Sequence, residues 1–435
     1  MAKNTAANTG VQSKSKGEFE LTKSQRKELI HVYHIGSRSS AWSDNPLDSL
    51  RKNVYFTLFD ADKESVEKDQ HSFQAKNVPR SHYRFLPLCI SSKKERRVFH
   101  ITRDPMASSL LEFNSEFDEF VTTSISFDYS LKDACTTAKK ETISCISVDD
   151  LSALEDFPPD FLSLDTEGSE HEILQGAKKV LKSDVLGVRS EVSFAEVRKK
   201  QKLFTEMHCY LAQQGFLFVR LEGPRNMNYA ESLSYARGTG FAYAAEALFI
   251  KDYKVIIKSN LPTEAKIQQL FKLAAIALTF NLFDYAYRVL RELHQSYSQE
   301  LKGFSSPQPY VRLGKGYYHI YQQLMERDFE KQQKFASNTE FWKPAVASSS
   351  GSSKKSKSML RSVLGKHNQK MLWRSYKKGI ALLSQLHLTL ASQNKLELLL
   401  HKHGLVKPAA ILKQSRIEQA WSPKKIAKKL LIFRR

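Results

Sequence analysis

Between about residues 26 and 252, short apolar runs alternate with amphipathic stretches. Seven runs have strand character: Leu29–Ile35, Val54–Asp60, Phe85–Ile90, Phe161–Asp165, Val185–Val192, Phe216–Leu221 and Ala245–Lys251. Each is short, rich in apolar or β-branched residues, and bounded by turn or charged residues. Lys63–Gln74, Ser169–Leu181 and Gln201–Gln214 lie between them and carry helical spacing. Strand and helix in alternation predict an α/β fold around a doubly wound, mostly parallel sheet.

The pattern changes after Asp252. Thr263 is expected to cap a helix, with Glu264 in its first turn, where a negative charge suits the helix dipole. Apolar residues then recur at helical spacing: Ile267, Leu270, Phe271, Ala274 and Leu278. A second such run holds Tyr285, Val289, Leu290 and Leu293, so a helical hairpin is expected with its turn near Asn281 and Asp284. Tyr310–Phe335 offers another amphipathic helix. One hairpin does not make a repeat array, so this is a helical extension. Residues 348–358 (SSSGSSKKSKS) have linker composition, and Tyr376–Lys402 and Ala409–Gln419 beyond them look helical and basic. The expected organisation is a lead-in at 1–25, an α/β domain at 26–252, a helical region at 253–344, a linker at 345–358 and a basic helical region at 359–435.

Composition sharpens this picture in two ways. Apolar residues are 41% and aromatics 11%, enough to build a sizeable core and to exclude a fully disordered chain. Charge is localised. Residues 345–435 hold 20 lysines and arginines against two acids, Glu397 and Glu418, so +18 of the formal +21 sits there and the rest of the chain is nearly neutral. The final segment, Pro423 to Arg435, interleaves lysines with Ile426, Leu430 and Phe433. An anionic membrane surface or an acidic partner suits residues 354–435, and nucleic acid ranks lower because no recognised nucleic-acid module accompanies the charge. Four cysteines (Cys89, Cys135, Cys145, Cys209) lack CxxC spacing and are expected as buried, reduced thiols, with no metal site. A polar N-terminus without an apolar h-region, and no apolar run of spanning length, make a cytoplasmic protein, with peripheral membrane attachment through the tail, the expectation.

Two strand ends carry acids. Phe161–Asp165 runs into Glu167, Gly168 and Glu170 before a helix opens, and carboxylates at such strand ends can orient a hydroxyl or take its proton. The plainer alternative is that Ser169 and Glu170 only start the helix and Asp165 is a solvated strand end. Val54–Asp60 ends 24 residues after Gly36, and a glycine turn followed by an acid at the next strand end is a pattern for holding a nucleoside.

The segment DFLSLDTEGSEHEILQGA around Asp165 resembles the signature of the FkbM-type, S-adenosylmethionine-dependent methyltransferases. LFDADKES from Leu58, RFLPLCISS from Arg84, TRDPMASSLLEFN from Thr102, ISVDDL from Ile146, LGVRSEVSF from Leu186 and AEALFIKD from Ala245 resemble further landmarks of that family in the right order. The resemblance covers about residues 26–252. It implies a Rossmann-like methyltransferase fold, S-adenosylmethionine as cofactor, and O-methylation of a carbohydrate-like or other metabolite hydroxyl. It also implies Gly36, Arg38, Asp60 and Cys89 as cofactor-side residues, and Asp165, Glu167 and Glu191 as catalytic carboxylates, with His171 a weaker base. One departure stands out: His34 occupies the position of the acid in the family's first motif, and Ser37, Ser39 and Ser40 replace small residues. A degenerate, non-catalytic member serving as a binding or scaffold module through its basic C-terminal part is the competing expectation.

Overall fold

The computed structural model describes residues 21–36, 46–50, 53–67, 79–123, 128–155, 157–231, 239–304, 308 and 310–322. The expectations for Arg38, for the linker and for the whole basic region 354–435 lie outside the described residues. Two compact units emerge, one of residues up to 276 together with 289–312, the other of 277–288 together with residues from 313 onward.

The first unit is built on a nine-stranded sheet and a small three-stranded one. In chain order the strands are β1 (Ile30–Ile35), β2 (Val54–Phe59), β3 (Tyr83–Leu86), β4 (Cys89–Ile90), β5 (Glu95–Thr102), β6 (Phe120–Thr123), β7 (Asp128–Ser130), β8 (Thr137–Ile146), β9 (Phe161–Leu164), β10 (Gly187–Ser193), β11 (Phe216–Tyr229) and β12 (Phe241–Lys251). The large sheet has the order β3-β2-β1-β9-β10-β12-β11-β6-β7, and the small one β4-β8-β5. From β3 to β10 every neighbour is parallel. From β10 to β7 every neighbour is antiparallel. The parallel half is thus the doubly wound body, and the antiparallel flank is a wing added to it.

Parallel strands buried on both faces must be apolar throughout, which is why β1, β2 and β9 are buried at every position. One face packs Tyr33, Leu162, Val188 and Phe249 against Leu151, Ile173, Leu181, Met207 and Leu211 from the helices Val148–Glu155, Glu170–Gln175, Lys178–Ser183 and Phe204–Gln213. The other meets the helix Thr263–Thr279: a Cβ on Gly187 of β10 would reach Phe161 of β9 and come within 3.5 Å of Ile276. At the opposite end of the strands from their carboxyl termini, Asp160 accepts from the His31 N–H at 2.8 Å and from Lys272 Nζ at 2.7 Å. Removing one partner of a buried ion pair leaves an uncompensated charge. Asp160→Ala is therefore expected to cost about 3–5 kcal/mol, seen as a lower urea midpoint at unchanged slope.

Several elements differ from the sequence expectation. Phe85–Ile90 is two strands in two sheets, because the chain leaves the large sheet after Leu86 and joins the small one at Cys89. Ser169–Leu181 is two short helices separated at Gly176, which packs so closely on Ser91 that a Cβ would lie 2.4 Å from its carbonyl oxygen. Phe216–Leu221 extends to Tyr229. Thr263 is the first helical residue rather than the cap. Three cysteines are buried as expected, but Cys209 is exposed.

In the second unit Asn281 adopts φ 62°, the left-handed conformation that closes the expected hairpin turn. Tyr287 stacks on Tyr321 at 4.3 Å, and Tyr317 donates to the Phe283 carbonyl at 2.8 Å. Among the described residues no helix is long and apolar enough to cross a membrane.

Candidate active site

Chain order reverses between β1 and β9: β2 and β3 lie to one side of β1, and β9 and β10 to the other. Such a switch point opens a crevice at the carboxyl ends of parallel strands. A cavity of about 410 Å³ lies there. Gly36 closes β1 with φ 86°; its N–H donates to the Phe59 carbonyl, while the Asp165 N–H donates to the Ile35 carbonyl, both at 2.9 Å. Three strand ends are thereby stitched together. A Cβ on residue 36 would sit 1.7 Å from the Asp165 carbonyl oxygen, so only glycine permits this approach.

Asp60 follows β2, is buried, and accepts the Asp62 N–H at 2.8 Å, which fixes its carboxylate on the turn after the strand. Cys89 of β4 forms another part of the wall, with its Sγ 3.4 Å from Cys145 on β8. The Cys145 contact, and then burial, push the Cys89 thiol far above its ordinary range, so it stands in the wall as a protonated thiol.

The loop after β9 is organised by Glu170. Its buried carboxylate accepts from the Thr166 N–H at 2.7 Å, the Thr166 hydroxyl at 3.0 Å and the Gly168 N–H at 3.0 Å. Glu170 thus does more than begin a helix: it folds the loop that presents Asp165 and Glu167. Glu167 is a non-glycine residue at φ 59°, a conformation costing about 1–2 kcal/mol. Two contacts hold it. The Ser109 hydroxyl donates to its carbonyl at 2.8 Å, and Arg198 Nη2 donates to its carboxylate at 3.0 Å.

Ligand-type oxygens of Asp165, Glu167 and Glu191 lie within 4.8 Å of one another. Two arginines offset this charge: Arg198 pairs with Glu167, and Arg225 of β11 pairs with Glu191. Arg198 is buried; Nη2 also donates to the Ala107 carbonyl at 2.6 Å, and Nη1 has no hydrogen-bond partner among the described residues. Asp165 makes no ion pair among the described residues. Burial, then the neighbouring Glu167 and Glu246 charges, push it up to about 8. Burial also raises Glu191, against the pull of Arg225. Asp165 therefore has the basicity suited to exchanging a proton near neutral pH, whereas Glu167 and Glu191 are committed to arginines.

Gly36, Asp60, Cys89, Asp165, Glu167 and Glu191 all line this one cavity, while Arg38 lies outside the described residues. His34 does not line it. It is buried, with Nδ1 2.9 Å from the Ser163 hydroxyl, and burial lowers it to about 4, so it is neutral. His171 packs its half-buried ring on Tyr210 at 5.5 Å, away from the cavity. Sequence reasoning missed Arg198, Arg225, Gln201 and Tyr243, which complete the wall. Arg225 and Tyr243 lie on the antiparallel wing, and Arg198 in the segment between β10 and the helix Phe204–Gln213. No local motif marked them.

The family model of the methyltransferase FkbM domain matches residues 32–218. Among solved structures the chain is similar to the methyltransferase FkbM of Methylobacillus flagellatus, at 11% identity and a TM-score of 0.29, covering 51% of this chain and 44% of that one. It is similar to the magnesium protoporphyrin IX methyltransferase of Synechocystis with bound SAH, at 9% identity and a TM-score of 0.27, covering 52% and 74%. A precorrin-6y C5,15-methyltransferase from Geobacter metallireducens is similar at 11% identity and a TM-score of 0.26, covering 51% and 80%. The chain thus spans less than half the length of the Methylobacillus protein. No curated protein matches it.

Proposed function

We propose, on the match of residues 32–218 to the methyltransferase FkbM domain, that the protein is an S-adenosylmethionine-dependent O-methyltransferase acting on a hydroxyl of a carbohydrate-like acceptor. One observation carries the reading: the ends of β1, β2 and β9 bring Gly36, Asp60 and Asp165 to one cavity at the topological switch point. The cavity suits the cofactor. Gly36 lets the ends of β1 and β9 close together at the cavity wall, and the buried Asp60 carboxylate offers an acceptor for ribose hydroxyls. Leu88, Cys89 and Ile90 would face the base as an apolar wall.

S-adenosylmethionine, when bound, supplies an electrophilic methyl group. The protein's part is to align an acceptor oxygen with it and to remove the hydroxyl proton. Asp165 takes that proton on a carboxylate oxygen. Arg198 and Arg225 hold the Glu167 and Glu191 carboxylates in place, which leaves Asp165 as the member of the cluster with no ion pair among the described residues. His34, neutral and bonded to Ser163, supplies no charge to the cofactor's amino-acid end.

Titrating the full chain with S-adenosylhomocysteine tests this directly. Micromolar binding is expected, weakened about tenfold or more in Asp60→Ala, which loses a hydrogen-bonding carboxylate. If wild-type protein shows no binding, the fold is a scaffold and the enzymatic reading fails.

A further inference from the structure

Outside the cavity, β6, β11 and β12 carry an exposed aromatic cluster. Phe120 of β6 and Tyr229 of β11 are register partners with ring centroids 4.6 Å apart. Phe241 of β12 stands 6.1 Å from Tyr229 and 6.3 Å from Phe120. Tyr229 is 50% exposed and Phe241 56%, so water meets a contiguous aromatic surface rather than one stray ring. The cluster continues the cavity wall. Tyr243, two residues after Phe241, lines the cavity. Thr122 is the register partner of Met227, and Met227 of Phe241. Cavity and cluster therefore share one face of the antiparallel wing.

The chemistry around the rings narrows the occupant. Glu116 and Glu119 are exposed beside Phe117 and Phe120, and Lys132 is spent on Asp118 at 2.6 Å. An acidic rim disfavours anionic lipid and nucleic acid. Three rings also fall well short of the roughly 800 Å² per partner of a stable protein interface. What fits is a neutral ring with one apolar C–H face and polar edges, since the electron-rich face of an aromatic ring attracts polarised hydrogens. Thr122, two residues from Phe120 on β6, lies on the same face and supplies a polar group nearby.

We propose that Phe120, Tyr229 and Phe241 form a platform on which a pyranose ring of a neutral oligosaccharide stacks, so that the acceptor is a glycan chain rather than a free monosaccharide. This rests on the methyltransferase reading above, with the methylated ring in the cavity and a second ring on the platform. The test uses the full chain saturated with S-adenosylhomocysteine. Maltotriose, cellotriose, triacetylchitotriose and mannotriose are titrated into it, each beside its monosaccharide. At least one trisaccharide is expected to bind about tenfold or more tighter than its monosaccharide. Tyr229→Ala and Phe241→Ala are each expected to weaken that binding by about tenfold, with S-adenosylhomocysteine affinity and melting temperature unchanged, while Tyr229→Phe retains it. The platform is overturned if S-adenosylhomocysteine binds but no trisaccharide does, or if Tyr229→Ala binds the trisaccharide as wild type does. Failure of S-adenosylhomocysteine itself to bind would instead remove the methyltransferase reading, and the platform with it.

Discussion

Asp165→Asn is expected to lower kcat by about 10²–10⁴-fold, the usual contribution of a positioned general base, while S-adenosylhomocysteine still binds. The amide keeps the shape of the side chain but cannot accept the acceptor's proton. The pH profile separates this role from a structural one. With Asp165 pushed up to about 8, the base form grows as pH rises toward 8 and saturates above it. Wild-type kcat should therefore climb through pH 6–8 and level off, and the residual activity of the variant should lose that limb. Stability moves the other way. A carboxyl whose folded-state pKa is raised favours the native state at low pH, and that favour is lost as pH rises through 8. Asp165→Asn removes the charge that opposes folding, so its melting temperature relative to wild type should be higher at pH 9 than at pH 6. A variant that lost activity with a flat stability difference across this range would place Asp165 outside the proton path.

How much of this was legible beforehand follows from the range of the forces involved. The parallel half of the sheet was visible because strands buried on both faces leave continuous apolar runs, as in β1 and β2. Their carboxyl ends were visible for the same reason, which is why Gly36, Asp60 and Asp165 stood out as residues before their proximity could be known. The small sheet left weaker signals. β8, TAKKETISCI, is half-exposed and lysine-rich, and it is a strand only because β5 and β4 pair with it. The arginines that pair with Glu167 and Glu191 were invisible because each is remote in sequence from its partner, Arg225 lying 34 residues from Glu191. The reading of Glu170 changed most. Spacing made it a residue of the first helical turn, whereas three hydrogen bonds make it the organiser of the loop.

Gly36→Ala carries the second large expectation, and it contrasts with Gly223→Ala. Both glycines have positive φ, 86° and 53°, so both substitutions incur the backbone strain of about 1–3 kcal/mol. Their surroundings differ. A Cβ at 223 meets nothing within 4 Å, whereas one at 36 overlaps the Asp165 carbonyl at 1.7 Å and its carbon at 2.6 Å. Relief of that overlap requires the ends of β1 and β9 to part, which breaks the Asp165 N–H to Ile35 hydrogen bond and shifts Asp165 within the cavity wall. Gly223→Ala should thus lower stability by the backbone term alone and leave S-adenosylhomocysteine binding intact. Gly36→Ala should lower stability further and abolish detectable binding by calorimetry. Because the two variants share the conformational cost, their difference isolates the close approach of the two strand ends. Equal losses of stability in both, with binding retained at position 36, would show that the crevice between β1 and β9 does not hold the cofactor.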